Sequence, residues 1–158
     1  MKGWVMAGAL LIAADQAAKA LVERFLPFQE TVDLLPILAL YRTHNTGIAF
    51  SMLSFAGNRA LIALTLAIIV FVLFVWTRTD RGKFAARAGL ALVLAGALGN
   101  LIDRAVFGHV IDFILLHWGH WSFAIFNLAD SAISLGAALV LYDEIFGSRR
   151  RPAHGSGK

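Results

Sequence analysis

The chain has 158 residues, of which 59% are hydrophobic and only 15% charged, with a formal net charge of +4. Soluble chains run at roughly 45–50% apolar and about 25% charged, and so small a domain has too much surface per volume to hide the excess. A soluble enzyme, a disordered chain and a disulfide-stapled secreted module are therefore excluded, and a polytopic membrane protein remains. The absence of cysteine also excludes thiolate catalysis and cysteine–zinc sites.

A transmembrane helix needs about 20 mostly apolar residues, and four segments qualify, at roughly 4–25, 60–76, 84–104 and 123–142. The first begins near Trp4, and Lys2 before an apolar run with Ala13 and Ala14 gives it some likeness to a secretory signal peptide. No soluble mature domain follows, so a retained helix fits better. Between the first and second segments, Pro27 and Pro36 interrupt helix. There Leu38, Leu40 and Tyr41 suit short strand, and His44-Asn45-Thr46-Gly47 reads as a turn before apolar Ile48, Ala49 and Phe50. The expectation is a small, partly extended platform on the membrane surface. The second segment carries no charge, and the third holds Gly89, Gly96 and Gly99, which permit close helix packing. Before the fourth comes an aromatic, histidine-rich connection from Phe107 to Trp121, which could act as a lid.

The fold class expected is an all-α membrane protein. It has four transmembrane helices, a small partly β outward-facing platform and an outward-facing connecting segment. Residues 1–148 form a single polytopic domain and residues 149–158 a basic cytoplasmic tail. Lys2, Arg78, Arg81, Lys83, Arg87, Arg149, Arg150, Arg151 and Lys158 fall on one side in this arrangement, nine of the fourteen basic residues. The positive-inside rule then puts both termini in the cytoplasm and residues 26–59 and 105–122 outside.

Ionisable groups inside membrane segments cost roughly 2.5–3.5 kcal/mol each on insertion scales and mark functional sites by default. Asp15 and Lys19, at i and i+4, share a helix face and read as an internal ion pair tying the first helix to the bundle. Asn100 and Arg104 repeat that spacing at the outer end of the third helix, where Asp103 reads as a capping or solvated residue. Asn127 and Asp130 follow at i and i+3 near the start of the fourth helix, and Asp112 lies in the connection. With the fourth helix starting near Phe123, Asp130 is expected roughly 10 Å below its outer end.

Asp130 has no bland explanation: it is a carboxylate within a membrane segment with no base beside it. Asp112 and Asp130 are therefore the candidate catalytic pair. Two carboxylates in one desolvated site cannot both ionise, so one keeps a proton as acid while the other activates water. Asn45, Asn100, Arg104 and Asn127 would orient them and the substrate. Three rivals stand beside this reading. A metal site could draw on His44, His109, His117 and His120, without an HExxH motif. Lys19 could activate Ser51, Ser54 or Ser122, although none sits in a nucleophile elbow. A proton-coupled transporter could use buried Asp residues, but four helices without a repeat leave little room for alternating access.

Five stretches in order carry a resemblance: Asp15-Gln16 with Lys19, Asn45-Thr46-Gly47-Ile48-Ala49-Phe50, Gly99-Asn100-Leu101-Ile102-Asp103-Arg104, Val110-Ile111-Asp112-Phe113 and Phe126-Asn127-Leu128-Ala129-Asp130. Together they resemble the bacterial lipoprotein signal peptidases (signal peptidase II). The resemblance implies an aspartic endopeptidase of the bacterial inner membrane, the target of globomycin. Such an enzyme removes the signal peptide of a prolipoprotein on the amino side of a diacylglyceryl cysteine. It implies Asp112 and Asp130 as catalytic dyad, with Asn45, Gly47, Asn100, Arg104 and Asn127 supporting or binding substrate and Asp15 and Lys19 behind them. It implies no metal or other cofactor. The partners expected are diacylglyceryl-prolipoproteins and membrane lipid, not nucleic acid, and the chain is expected to be a monomer.

Overall fold

The structure is a computed structural model that describes residues 2–47, 57–119 and 121–147. The elements, in chain order, are α1 (Lys2–Phe25), β1 (Thr31–Leu35), β2 (Leu38–Asn45), α2 (Gly57–Arg78), α3 (Phe84–Phe107), β3 (Val110–Trp118), β4 (Trp121–Phe126) and α4 (Leu128–Phe146). The strands form one antiparallel sheet in the order β1-β2-β3-β4.

Three helices, α1, α2 and α3, are long and apolar enough to cross a membrane. Their surfaces are inverted relative to a soluble bundle. Val70, Phe71 and Phe74 of α2 and Val5, Met6 and Leu10 of α1 point outward, whereas Asp15, Lys19, Asn100 and Asp103 are buried. In lipid an outward apolar side chain costs nothing and a polar one must find a partner inside. α3 is the central helix, packed against α1, α2 and α4. Its crossing with α4 runs over small residues: a Cβ on Gly96 would run into the Ala129 carbonyl, and one on Gly136 into the Gly89 carbonyl.

Three features differ from expectation. The chain is mostly helical with a small antiparallel sheet, and that sheet extends beyond the platform expected between the first two helices. The segment from Phe107 to Trp121, expected as an outward-facing connection and possible lid, contains β3, paired with β2 on one side and β4 on the other. The fourth helix begins at Leu128 rather than near Phe123, because Trp121–Phe126 is strand β4. Asp130 is therefore in the first turn of α4 and not about 10 Å down it. The reason is local: Asn127 forms a capping box with Asp130, its Oδ1 accepting from the Asp130 N–H at 2.9 Å while the Asn127 N–H donates to Asp130 Oδ2 at 3.3 Å. α3 also extends to Phe107 before Gly108, at φ 79°, turns the chain into β3. That left-handed conformation suits glycine, and it brings β3 back beside the last turn of α3.

Candidate active site

Asp112, the third residue of β3, and Asp130, in the first turn of α4, line one cavity of about 640 Å³. Asn45, Asn100 and Arg104 line the same cavity, whose remaining walls are mainly apolar, among them Leu64 and Ile68 of α2, Val93 of α3 and Ile133 of α4. Asn127 joins the two acids. Its Nδ2 donates to Asp112 Oδ1 at 2.7 Å, while its backbone N–H and side-chain oxygen form the capping box with Asp130. Asn45 Nδ2 donates to Asp112 Oδ2 at 2.9 Å, and Asn100 Nδ2 to Asp130 Oδ1 at 2.7 Å. Each carboxylate thus accepts on both oxygens.

The Asp112 carboxyl is pushed up to about 7, first by burial and then by the negative charge of Asp130, against the stabilising hydrogen bonds from Asn45 and Asn127. A carboxyl there carries a proton near neutral pH, which an ordinary aspartic acid does not.

Arg104 adds a cation within electrostatic reach of Asp130, Asp112 and Asp103. Its Nη2 donates to the Gly47 carbonyl at 2.6 Å, and the Gly47 N–H donates to Asn45 Oδ1 at 2.9 Å. Gly47 thus links Arg104 and Asn45, and it is not among the described residues that line the cavity. Asn58, at the start of α2, donates to the Arg104 carbonyl at 2.9 Å and ties that helix to the same corner.

Asp15 and Lys19 lie behind the cavity. Lys19 Nζ stands 2.8 Å from Asp15 Oδ2 and 2.7 Å from Asp103 Oδ2. Asp103 is therefore no solvated helix end: it is wholly buried. Two participants had no clear signal in the sequence, this inward Asp103 and Gln16, whose Nε2 donates to Asp103 Oδ1 at 2.8 Å. The ammonium is saturated by Asp15, Asp103 and Asn100 and is not placed to activate Ser122 on β4. Among the described residues no three His, Asp or Glu side chains gather as a metal site. His44 bonds Glu23 at 2.8 Å and stacks on His109, whereas His117 lies at the far end of β3 near Asp33. Ile48–Phe50, Ser51, Ser54, His120 and the basic tail lie outside the described residues.

The sequence matches the Peptidase_A8 family, signal peptidase (SPase) II, over residues 7–146. The chain belongs to the signal peptidase II family. It is 57% identical over 157 residues to a lipoprotein signal peptidase of Mesorhizobium japonicum, covering 98% of this chain and 94% of that one. It is 53% identical over 139 residues to a lipoprotein signal peptidase of Sinorhizobium fredii, covering 88% and 84%. Among solved structures, a bacterial membrane enzyme determined by the in meso method at 1.9 Å resolution matches with a TM-score of 0.81 at 25% identity, over 92% of this chain and 94% of that one. A second, at 2.3 Å resolution, shares the fold with a TM-score of 0.86 at 23% identity, over 100% and 96%. As a signal peptidase II family member the chain is a multi-pass membrane protease.

Within this signal peptidase II fold Asn127 is the residue on which both acids depend. Asn127→Ala should remove an N-cap, at about 1 kcal/mol, and strip a buried acceptor of its donor, at about 1–3 kcal/mol. The expected result is a clear fall in the thermal midpoint in detergent micelles together with a drop in turnover on the order of 100-fold. A stable variant with full turnover would remove Asn127 from the site.

Proposed function

We propose that the protein is an intramembrane aspartyl endopeptidase that removes the signal peptide from diacylglyceryl-modified prolipoproteins, cutting on the amino side of the lipidated cysteine. The observation that carries this is the meeting of Asp112 and Asp130, from separate stretches of chain, around Asn127 at one mainly apolar cavity. Family membership and the lipoprotein signal peptidases among its relatives support the substrate class.

The chemistry follows from dividing one proton between two acids. Asp112, held up to about 7, is the proton holder, and Asp130 is the carboxylate that takes a proton from water. The water oxygen adds to the scissile carbonyl while Asp112 gives its proton to the carbonyl oxygen. Collapse of the tetrahedral intermediate breaks the C–N bond: the proton gathered on Asp130 passes to the departing amine, and the hydroxyl that becomes the new carbonyl returns its proton to Asp112. Asn45, Asn100 and Asn127 fix the carboxyl orientations, and Arg104 supplies positive charge beside the pair. No step calls for a metal or other cofactor.

A lipid-anchored substrate suits this placement. α4 is taken as a fourth span, with Leu135, Leu141 and Ile145 facing outward. Its acids fall near its two ends, Asp130 at the site and Asp143 beside Lys83 at 3.5 Å. Residues 1–148 then make one domain of the bacterial inner membrane, with both termini and the basic tail cytoplasmic, and the dyad near the outer face. The diacylglyceryl chains stay in the bilayer and bring the scissile bond to headgroup level. A monomer suffices for this chemistry, since both acids come from one chain.

The test is cleavage of a diacylglyceryl-cysteine peptide by the purified protein, read by mass spectrometry, beside the same peptide without lipid. A product beginning at the lipidated cysteine supports the reading, and no cleavage of the lipidated peptide rejects it. The pH dependence has a defined sign. Turnover requires the Asp112 proton, so it should fall as pH rises through about 7, by roughly tenfold per unit beyond the limb. Stability should follow the same direction: a carboxyl raised in the folded state favours folding at low pH and loses that advantage as pH passes its folded value. A rate that climbs steadily to pH 9 would contradict Asp112 as proton holder.

A further inference from the structure

Lys19 is not among the residues lining the cavity, yet it joins three of the groups that stand behind the dyad. Its Nζ contacts Asp15 at 2.8 Å, Asp103 at 2.7 Å and Asn100 Oδ1 at 3.2 Å, so all three ammonium hydrogens are engaged. Lys19 and Asp15 are each only 1% exposed and Asp103 is 0% exposed. Burying three charges costs several kcal/mol per ion before pairing offsets it. A plain tie between α1 and α3 would not need such a group.

The two counter-ions reach a particular pair of backbone groups. Asp15 Oδ1 accepts the N–H of Ala129 at 3.0 Å, and Asp103 Oδ2 accepts the N–H of Ile111 at 3.2 Å. Ala129 immediately precedes Asp130, and Ile111 immediately precedes Asp112. One ammonium therefore draws together two carboxylates, each of which grips the peptide next to one catalytic acid. The third contact adds direction. An ammonium only donates, so Asn100 must present its oxygen to Lys19 and its Nδ2 to Asp130. Asn127 Nδ2 donates to the same Asn100 oxygen at 3.2 Å. A flipped Asn100 amide would set N–H against N–H at both contacts.

We propose that Lys19 is the positioning residue of the dyad, setting the gap between the Asp112 and Asp130 backbones through Asp103 and Asp15 and the donor direction of Asn100. This rests on the aspartyl peptidase reading above. Charged groups face Lys19 and the dyad from every neighbouring element: Asp15 on α1, Asp103 and Arg104 on α3, Asp112 on β3 and Asp130 on α4. The Lys19 charge also favours the ionised form of Asp112, so its loss has an electrostatic signature as well as a geometric one.

The experiment measures kcat, KM and the pH–rate profile on a diacylglyceryl-cysteine peptide for Lys19→Met and for Lys19→Met/Asp15→Asn. The double variant leaves the buried network at the same formal charge, since +1 with two carboxylates and 0 with one both sum to −1. Thermal unfolding in micelles reports the fold, and Asp112→Asn and Asp130→Asn serve as blanks. The expected result in folded Lys19→Met is a kcat lower on the order of 100-fold, with KM within about threefold and a pH–rate profile displaced by about one unit to higher pH; the double variant, with its network charge unchanged, should keep the kcat loss with its profile in place. A merely structural lysine would instead lower the active fraction equally at every pH and leave the Lys19→Met profile in place, which overturns the proposal. So would loss of the folded protein in both variants, because Lys19 would then serve the fold alone. Active Asp→Asn blanks would instead remove the dyad reading beneath it.

Discussion

Asp112→Asn and Asp130→Asn should each reduce cleavage of a diacylated peptide by roughly 10³–10⁴-fold, the scale of losing a general acid or base from a preorganised site, while the protein stays folded in the membrane. The hydrogen bonding explains why stability should change little. Each carboxylate accepts on both oxygens, Asp112 from Asn127 and Asn45 and Asp130 from Asn100 and the Asn127 backbone. An asparagine has one acceptor and one donor end, so each variant turns one good contact into a clash of two N–H groups, at about 1–3 kcal/mol. Against that cost, Asp130→Asn removes a buried negative charge, and Asp112→Asn replaces a carboxyl that already holds its proton near neutral pH, pushed up to about 7 first by burial and then by Asp130. Neither change leaves a new uncompensated charge in the buried site. Thermal midpoints near that of the native protein, beside a rate at background, are the expected pair of results. Substantial cleavage by either variant would dismiss the dyad. A collapse of stability alongside lost activity would show that the acids serve the fold before the chemistry.

The acids were legible in the sequence because a carboxylate in an apolar segment is costly wherever it sits, and Asp130 lacked a local partner. The Asp15–Lys19 pair was legible too, since i and i+4 fix a shared face before any tertiary structure forms. The inward turn of Asp103 was not. Its partners Lys19, Gln16 and the Ile111 N–H come from α1 and β3, and nothing within its own helix distinguishes it from a solvated end. The sheet was only half visible. Strands are recognised by alternation when one face is wet, but the first four residues of β3 are all buried, so Val110-Ile111-Asp112-Phe113 shows no period of two. The start of the fourth helix was misplaced for a related reason. Phe123-Ala124-Ile125-Phe126 is apolar enough to extend a membrane helix, and the decisive residue is the cap. Asn127 with Asp130 three residues on is a capping pair, which moves the helix start to Leu128 and lifts Asp130 into the first turn.

That shift makes one glycine on α3 decisive for catalysis. Gly96 faces the carbonyl of Ala129, the residue before Asp130, and a Cβ there would collide with that carbonyl and with Ile133. Gly96→Val must therefore push the first turn of α4 away from α3. The Ala129 N–H would leave Asp15 Oδ1, now 3.0 Å away, and Asp130 would leave Asn100 Nδ2, now 2.7 Å away. Overpacking of this kind costs typically 1–3 kcal/mol and occasionally more. A misplacement of about 1 Å at the reacting groups costs about 100-fold in rate. The expected result is a lowered thermal midpoint together with a turnover loss of at least that order, although Gly96 carries no functional group. Gly8→Ala on α1 is the matched control, because its Cβ would meet only Ala95 at an ordinary 3.8 Å and should change neither quantity. Native turnover in Gly96→Val would mean that α4 can shift without moving Asp130, and the contact between these two helices would then not be what sets the dyad.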